Sequence, residues 1–389
     1  MKNQAPITPS RVPIKPYEIN VSESELDELK TRLHLSRWPD QVDQAEWNYG
    51  TNLDYLKEVV DYWKTDFDWR RQESEINRLH HFSASIGNVD IHFIHEQGEN
   101  TNATPIVLLH GWPGSFFQMQ KIVPMLSEPS KHGGKAGDSF DVVVVSLPGF
   151  GFSSKPTEPG MNFYKMAEIV NTLMVDVLGY SKYVVRGSDV GAAIATELAQ
   201  SFPAHVISIH LSGSNPFIVQ LPINLSEAEI SFVEKSSQYV MQEGAYGMEQ
   251  STKPQTLAFG LNDSPIGLAA WLLEKFRSWS DCQGNLENRF TKDEFLTNVM
   301  IYWLTQTIGS SMRVYYESAH HLSPNIGKRV EVPTAMFMFT HDVALAPREW
   351  EERTYNVQRW TECTSGGHFA EWEEPGEVAN DLRLFFNDL

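Results

Sequence analysis

Short apolar runs alternate with amphipathic stretches in the first half of the chain. The run at 89–95 (VDIHFIH) alternates apolar and polar residues as a half-buried strand does. The runs at 105–110 (PIVLLH) and 141–146 (DVVVVS) are continuously apolar and suit buried parallel strands. Stretches with helix composition follow at 166–178 and after 191. Strands and helices that alternate at this spacing predict an α/β fold with a mostly parallel, doubly wound sheet.

The pattern changes after residue 212. A strand-like run at 204–211 (AHVISIHL) is followed by helical stretches, with no strand alternation over about 216–325. Strand-like sequence resumes at 333–340, and 359–364 is the last candidate strand. A helical block inserted between two strands of one sheet is expected to cover the ends of the strands as a lid.

The first hundred residues have a different character. Residues 1–20 contain four prolines and are predicted to form an extended arm. Ser22, followed by acidic residues and by leucines three and four positions apart, predicts a capped amphipathic helix, and a second helix is predicted at 53–65.

Composition excludes several classes of function. The 389 residues include 31 Lys plus Arg against 50 Asp plus Glu, a formal charge of -19, and no long basic run, so a nucleic-acid partner is not expected. Two cysteines are too few for a disulfide framework, and the first residues lack the apolar core of a signal peptide. No apolar run approaches the ~20 residues of a membrane span. These features predict a cytoplasmic protein.

The stretch at 183–201 (YVVRGSDVGAAIATELAQS) predicts a strand, a tight turn and a helix, with Asp189 at the apex. Such a turn forces its apex residue toward positive φ, and Gly187 and Gly191 relieve the crowding on either side. The adjacent helix N-terminus favours an anion, so Asp189 is a candidate nucleophile. A chance G-x-D-x-G in a loop is the alternative. Ser188 stands one position too early for a serine elbow.

A second turn follows the strand at 105–110. Its Gly-Trp-Pro-Gly sequence lies where an open α/β sheet forms its ligand crevice, although an ordinary strand-to-helix turn is the alternative. In the functional interpretation the backbone N–H groups of Trp112 and Val190 form an oxyanion hole beside Asp189.

An acid and a histidine follow the late strands. Asp342 lies just past the strand predicted at 333–340, and the nearby Glu349 is the alternative candidate for the acid. His368 lies in the sequence Gly-Gly-His-Phe. A carboxylate can attack an activated carbon without a base, and the resulting ester needs water activated by a histidine that an acid orients. The order of nucleophile, acid and histidine is typical of α/β hydrolases. A buried structural histidine and a turn-forming aspartate are the alternatives for His368 and Asp342.

These motifs together resemble the epoxide hydrolases of the α/β-hydrolase superfamily, and most the microsomal-type branch. The matching elements are SRWPD, HGWPGS, GSDVG, TKPQTLAFGLNDSPIGLAAWLLEKF and SGGHF. The resemblance implies an N-terminal wrapping segment at 1–100, a hydrolase core at 101–215 and 326–389, and a helical lid at 216–325. Val190 stands where the family commonly has tryptophan, and Asp342 where the branch often has glutamate.

The resemblance also implies the chemistry. Family members open epoxides to vicinal diols with two lid tyrosines that hold the epoxide oxygen, and these map to Tyr246 and Tyr315, with Tyr316 as a rival for the second. The expected partners are a small apolar epoxide and water. Neither a cofactor nor a metal is expected, nor is a membrane anchor, and a homodimer is left open.

Two other functions remain as alternatives. Haloalkane dehalogenases share the fold and the aspartate nucleophile, but they hold the departing halide with indole donors, one usually directly after the nucleophile, where this chain has Val190. A non-catalytic binding protein on the same fold would normally have lost a reactive residue, whereas Asp189, His368 and both tyrosines are present.

Overall fold

The computed structural model describes residues 12–213 and 221–387. Within them nine strands form one sheet in the order β1-β2-β3-β5-β4-β6-β7-β8-β9. The strands are β1 (Ile14–Pro16), β2 (His81–Ile86), β3 (Val89–Glu96), β4 (Thr104–Leu109), β5 (Phe140–Val145), β6 (Tyr183–Ser188), β7 (Val206–Ser212), β8 (Val330–Phe339) and β9 (Tyr355–Cys363).

The sheet is parallel from β5 to β9 and antiparallel from β1 to β3 and between β3 and β5. The continuously apolar runs form β4 and β5, whose central residues are fully buried, as the sequence predicts for strands covered on both faces. The predicted α/β-hydrolase fold is confirmed. The last strand starts at Tyr355, four residues before the predicted start.

The N-terminal segment extends this sheet and carries three helices. Strand β1 pairs with β2, and the helices are α1 (Glu23–His34), α2 (Leu53–Thr65) and α3 (Trp69–Ile76). Ser22 and Glu25 form the capping box that starts α1, as the sequence predicts. The first part of the predicted extended arm, residues 1–11, lies outside the described residues.

Helices on both faces of the sheet complete the core. They are α4 (Ile122–Ser127), α5 (Phe163–Thr172), which continues as a π-helical turn over Leu173–Val177, and α6 (Val190–Ser201). The hydrolase core is therefore built as the alternating pattern predicts.

The insertion between β7 and β8 contains helices and loops but no strand in its described part. Its helices are α7 (Glu227–Glu243), α8 (Ala245–Thr252), α9 (Pro254–Asp263), α10 (Pro265–Trp279), α11 (Lys292–Thr305) and α12 (Ile308–His320). Three further helices belong to the core. Two of them, α13 (Arg348–Glu352) and α14 (Ala370–Glu373), are short, and the third, α15 (Pro375–Asn387), is longer.

The N-terminal helices pack against this insertion as well as extending the sheet. The Arg32 guanidinium on α1 donates to Asp263 at the end of α9 (2.8 Å). The Thr51 hydroxyl, just before α2, donates to the Ala270 carbonyl of α10 (2.7 Å). The Tyr62 hydroxyl on α2 donates to Asp293 of α11 (2.9 Å). The N-terminal segment thus braces the lid from the outside.

Candidate active site

Asp189 lies at the turn between β6 and α6 with φ 52° and ψ -125°. A side chain at Gly187 would place its Cβ 2.4 Å from the Gly191 carbonyl oxygen, and one at Gly191 would lie 2.1 Å from the Leu109 oxygen. Glycine at 187 therefore lets the strand approach the first turn of α6, and glycine at 191 lets that helix approach β4. The structure builds the elbow that the glycine spacing predicts.

One carboxylate oxygen of Asp189 is held by the neighbouring loop. The backbone N–H of Trp112 donates to Asp189 Oδ1 at 2.8 Å. Gly111 allows this approach, because a Cβ there would lie 2.4 Å from the Asp189 Cβ. Val190 is the first residue of α6, so its N–H is one of the free donors at the helix N-terminus. Asp189 Oδ2 is left to face the rest of the site.

The lid holds the Trp112 loop in place. The Asn298 side-chain amide on α11 donates to the Pro113 carbonyl (2.9 Å), and the Tyr302 hydroxyl donates to the Gly114 carbonyl (2.7 Å). The Trp112 N–H that donates to Asp189 therefore belongs to a loop that both the core and the inserted helices hold in place.

His368 lies between two carboxylates. Its Nδ1 is 2.8 Å from Asp342 Oδ1, and its Nε2 is 3.6 Å from Asp189 Oδ2. Asp342 also accepts the N–H of Val343 (2.7 Å). The rival acid, Glu349, instead accepts a hydrogen bond from the Ser226 hydroxyl before α7. The structure thus brings Asp342, and not Glu349, to the histidine.

The two carboxylates control the charge of the imidazole. Burial lowers the pKa of His368, but the charges of Asp342 and Asp189 and the hydrogen bond to Asp342 outweigh burial and raise the pKa to about 10. His368 is therefore an imidazolium at neutral pH while Asp189 keeps its charge. Any reaction that removes the charge of Asp189 lowers the pKa of His368.

Glu373 holds the histidine loop, and sequence reasoning missed it. Its carboxylate accepts the N–H groups of Gly367 (3.1 Å) and Phe369 (3.0 Å), on either side of His368, and that of Asp281 beyond α10 (2.8 Å). Burial raises the pKa of Glu373 to about 7. The only sequence signal was its place five residues after the histidine, among other acids.

Four aromatic rings, those of Trp112, Tyr246, Trp279 and Tyr315, pack together beside the carboxylate as an aromatic wall. The Tyr246 ring stacks on Trp112 with centroids 5.5 Å apart and planes 6° apart, and Tyr315 meets Trp112 edge-on at 6.0 Å. Trp279 lies 4.9 Å from Tyr246 and 5.0 Å from the His368 ring. The two predicted tyrosines are thus brought together, with ring centroids 6.1 Å apart.

The rival tyrosine lies elsewhere. Tyr316 stacks on His320 near the end of α12, with centroids 4.0 Å apart, and His320 is exposed. Because Tyr315 and Tyr316 are adjacent on one helix, they face directions about 100° apart. Only Tyr315 contacts the aromatic wall.

The tyrosines of the wall are protonated at neutral pH. Burial raises the pKa of Tyr246 and of Tyr315 well above the ordinary value, and the charge of Asp189 raises both further. Tyr239 on α7, which sequence reasoning missed, has its pKa raised by burial and lowered in part by Tyr246. All three are hydrogen-bond donors rather than bases.

Neither a metal cluster nor a membrane span is found in the described part of the chain. Residues 12–213 and 221–387 contain no group of three or more His, Cys, Asp or Glu side chains arranged to hold a metal ion. In the same ranges no helix combines the length and the apolar character needed to cross a bilayer.

Comparison with known proteins identifies the family. A family model described as epoxide hydrolase N terminus matches residues 14–119, and one described as alpha/beta hydrolase fold matches residues 104–240. Epoxide hydrolase 1 of Sus scrofa is 35% identical over 97% of this chain and 89% of its own length.

Solved structures agree with this. The crystal structure of juvenile hormone epoxide hydrolase from the silkworm Bombyx mori is 31% identical, covers 97% of this chain and 94% of its own, and superimposes with a TM-score of 0.84. The structure of Aspergillus niger epoxide hydrolase is 30% identical, covers 97% of both chains and has a TM-score of 0.85. With these matches spanning both the N-terminal segment and the hydrolase core, the chain belongs to the epoxide hydrolase family of α/β-hydrolase-fold enzymes.

Proposed function

We propose that this enzyme converts small apolar epoxides to vicinal diols through a covalent ester on Asp189. The observation that carries the proposal is that the two oxygens of this carboxylate have different surroundings. The Trp112 N–H holds Oδ1 at 2.8 Å, while Oδ2 lies on the side of His368, with Tyr246 and Tyr315 on the aromatic wall. One oxygen is held where negative charge will develop, and the other is free to attack.

In the first step Asp189 Oδ2 attacks a carbon of the epoxide ring. A new carbon–oxygen bond forms, the ring carbon–oxygen bond breaks, and its electron pair stays on the epoxide oxygen. Tyr246 or Tyr315 donates a proton to that oxygen. Without such a donor the leaving group would be an alkoxide, which is too basic to leave readily, so the phenols stabilise charge that exists only in the transition state.

In the second step water hydrolyses the ester. The ester carries no charge on Asp189, so only Asp342 still supports the imidazolium, and the pKa of His368 falls. The imidazolium therefore gives up its proton, which restores the phenol that donated one in the first step. Neutral His368 takes a proton from water, the hydroxide adds to the carbonyl carbon, and the N–H groups of Trp112 and Val190 stabilise the oxyanion. The tetrahedral intermediate then breaks its bond to the diol oxygen, which takes the proton of the newly added hydroxyl. The Asp189 carboxylate is thereby restored, and the proton taken from water stays on His368.

The aromatic wall indicates the substrate class. Trp112 is completely buried, and Tyr246 and Trp279 are nearly so, which gives the site large apolar surfaces with few polar groups. An aryl or alkyl epoxide fits such surfaces, with its oxygen at the two phenols.

Oxygen labelling tests the two-step route. Purified enzyme turns over styrene oxide in water enriched in heavy oxygen, and the Asp189 peptide is weighed by mass spectrometry. We expect heavy oxygen in Asp189, because water attacks the ester carbonyl and one new oxygen stays in the carboxylate. Diol formation with an unlabelled Asp189 would contradict the ester and favour direct attack by water on the ring.

The histidine is tested by trapping the ester. In His368→Gln we expect one equivalent of substrate bound to the Asp189 peptide and ~10³-fold slower steady-state turnover, since the activating base is missing. Wild-type enzyme stopped at the same time is the matched control. Diol formation at the wild-type rate by His368→Gln would contradict the role of this residue.

One observation supports the haloalkane dehalogenase alternative. The indole N–H groups of Trp112 and Trp279 are buried and have no hydrogen-bond partner in the described part of the chain, and a halide needs such donors. A panel of haloalkanes therefore accompanies the epoxides. Halide release without diol would replace the epoxide proposal, and diol formation would contradict both the dehalogenase and the binding-protein alternatives.

The cellular location, the domain boundaries and the oligomeric state are proposals as well. We place the enzyme in the cytoplasm, because Cys282 and Cys363 are both free thiols, which is the state that a reducing compartment maintains. The division of the chain into an N-terminal segment, a hydrolase core and a lid, with boundaries at residues 100, 215 and 325, stays a prediction. Light scattering after size-exclusion chromatography tests whether two copies form a homodimer.

A further inference from the structure

Lys275 on α10 is buried among aromatic rings. The residue is 5% exposed, and its Nζ lies 5.1 Å from the ring centroid of Tyr246, 5.8 Å from that of Trp279 and 5.9 Å from that of Trp271. Its carboxylate partner is the adjacent Glu274. Taking an ammonium out of water is costly, so a lysine kept in such a place calls for an explanation.

The tyrosine beneath this ammonium is the predicted proton donor. Trp112 stacks nearly parallel on the Tyr246 ring with centroids 5.5 Å apart, and the Lys275 ammonium lies over the same ring, 5.1 Å from its centroid. A cation over a phenol ring is attracted to its electrons, and the attraction increases when the ring gains negative charge. Lys275 therefore interacts more strongly with Tyr246 once the phenol has given up its proton.

We propose that Lys275 is a positioning residue whose charge makes the Tyr246 phenol a better proton donor to the epoxide oxygen. The inference deepens the proposed function and rests on it. The proton moves from Tyr246 to the epoxide oxygen as the ring carbon–oxygen bond breaks and the ester bond to Asp189 forms. Lys275 keeps its own proton throughout and acts only through the ring.

The surroundings of Tyr246 explain why such help is needed. Burial, Tyr239 and the negative charge of Asp189 all raise the pKa of Tyr246, which keeps the phenol protonated but also makes it a weak donor. A hydrogen bond with Tyr315 acts in the opposite direction and lowers the pKa of Tyr246. The positive charge of Lys275 over the ring is expected to act in the same direction as Tyr315.

Two acids face the ammonium from the lid. Glu274 contacts it directly, and its side chain is 21% exposed, so water screens part of its charge. Glu243 at the end of α7 also interacts with both residues: burial and Glu274 raise its pKa, and Lys275 lowers it. Glu274 and Glu243 thus balance part of the charge of Lys275, while Tyr246 and two indoles lie close to the same ammonium.

Separate measurement of the two chemical steps tests the proposal. In single-turnover experiments with styrene oxide, rapid quenching followed by mass spectrometry gives the rates of ester formation and of ester hydrolysis. We expect Lys275→Met to slow ester formation by about tenfold and to leave hydrolysis within about twofold, since the phenol acts only in the first step. Lys275→Arg keeps the charge and should recover most of the rate.

The Tyr246→Phe background supplies the decisive control. If Lys275 acts through the phenol, adding Lys275→Met to Tyr246→Phe should change ester formation by less than about twofold. A lysine that only stabilises the lid would slow both steps, and would do so equally in either background. Either of those results overturns the proposal.

Glu274→Gln keeps the proposal testable if Lys275→Met does not fold. Removing the partner carboxylate leaves the ammonium in place with less of its charge balanced, so ester formation should be as fast as in the wild type or faster. Slower ester formation in a folded Glu274→Gln protein would contradict the electrostatic role.

The two proposals fail in different ways. If wild-type enzyme forms no ester on Asp189, the proposed function fails and the role of Lys275 fails with it. If the ester forms and Lys275→Met opens the ring at the wild-type rate, only the role of Lys275 is overturned.

Discussion

The sheet side and the lid side of the site are held in place by different means. On the sheet side the backbone positions Asp189, Asp342 and His368, through a strained turn, strand ends and the Glu373 clamp. On the lid side, ring packing against Trp112 positions Tyr246 and Tyr315. Backbone constraints place a side chain in one geometry, whereas packed rings tolerate small displacements. The sheet side is therefore expected to be intolerant of change, and the lid side adaptable.

The largest effect is expected on the sheet side. Asp189→Ala removes the proposed nucleophile and should lower kcat/KM for styrene oxide by ~10⁵-fold, because the proposed ester can then no longer form. Ser188→Ala is the matched control next to it and should stay within about threefold of wild type. A reversal of these two results would move the nucleophile to the serine and break the comparison.

The orienting acid should come second. Asp342→Asn leaves the shape of the side chain but removes the charge that supports the imidazolium, so we expect ~10³-fold to ~10⁴-fold lower kcat. Glu349→Gln should change kcat by less than about twofold, since Glu349 is hydrogen-bonded to Ser226 instead. Equal losses in both variants, measured at saturating substrate, would contradict the assignment of the acid.

Smaller effects are expected on the lid side. Tyr246→Phe and Tyr315→Phe each remove one donor to the epoxide oxygen and should slow ester formation by ~100-fold, because the remaining phenol still donates. The rate of ester hydrolysis should not change. Tyr316→Phe is the control on the adjacent position of α12. If Tyr316→Phe shows the larger loss, the rings are arranged differently from the structure.

The last prediction concerns charge rather than rate. Both carboxylates stabilise the protonated imidazole and raise the pKa of His368 to about 10. Asp189→Asn removes one of them, so the pKa of His368 should fall toward the ordinary range of histidine. The imidazole resonances of the two proteins, followed by NMR across the pH range, measure the change. An unchanged pKa would mean that Asp342 alone sets it, and that ester formation does not prepare the base.

Much of the sheet side could be predicted from the sequence. The apolar runs, the glycines around Asp189 and the chain order of nucleophile, acid and histidine depend on local sequence and on the general rules of α/β folds. Strands β1 and β2 were not predicted. The first has three residues, and its pairing with β2, about seventy residues away, leaves little trace in a local pattern.

The lid side depended on resemblance and was less complete. Tyr246 and Tyr315 could be located only by matching neighbouring motifs, since a tyrosine on a helix is most often a packing residue. Lys275 and Trp279 were missed because burial of a lysine near the end of a helix is decided by the helices packed around it. Glu373 was missed for a similar reason: its partners are backbone groups of a loop and of the lid.

The bracing of the lid by the N-terminal helices bears on how substrate range is inherited in such enzymes. Arg32, Thr51 and Tyr62 each hold a different lid helix through a hydrogen bond from outside the sheet. A lid transplanted from a relative would meet these three donors with the wrong partners. Chimeras that exchange the lid together with residues 12–80 should therefore fold more readily than chimeras that exchange the lid alone. They should also more readily accept the substrates of the relative that supplied the lid.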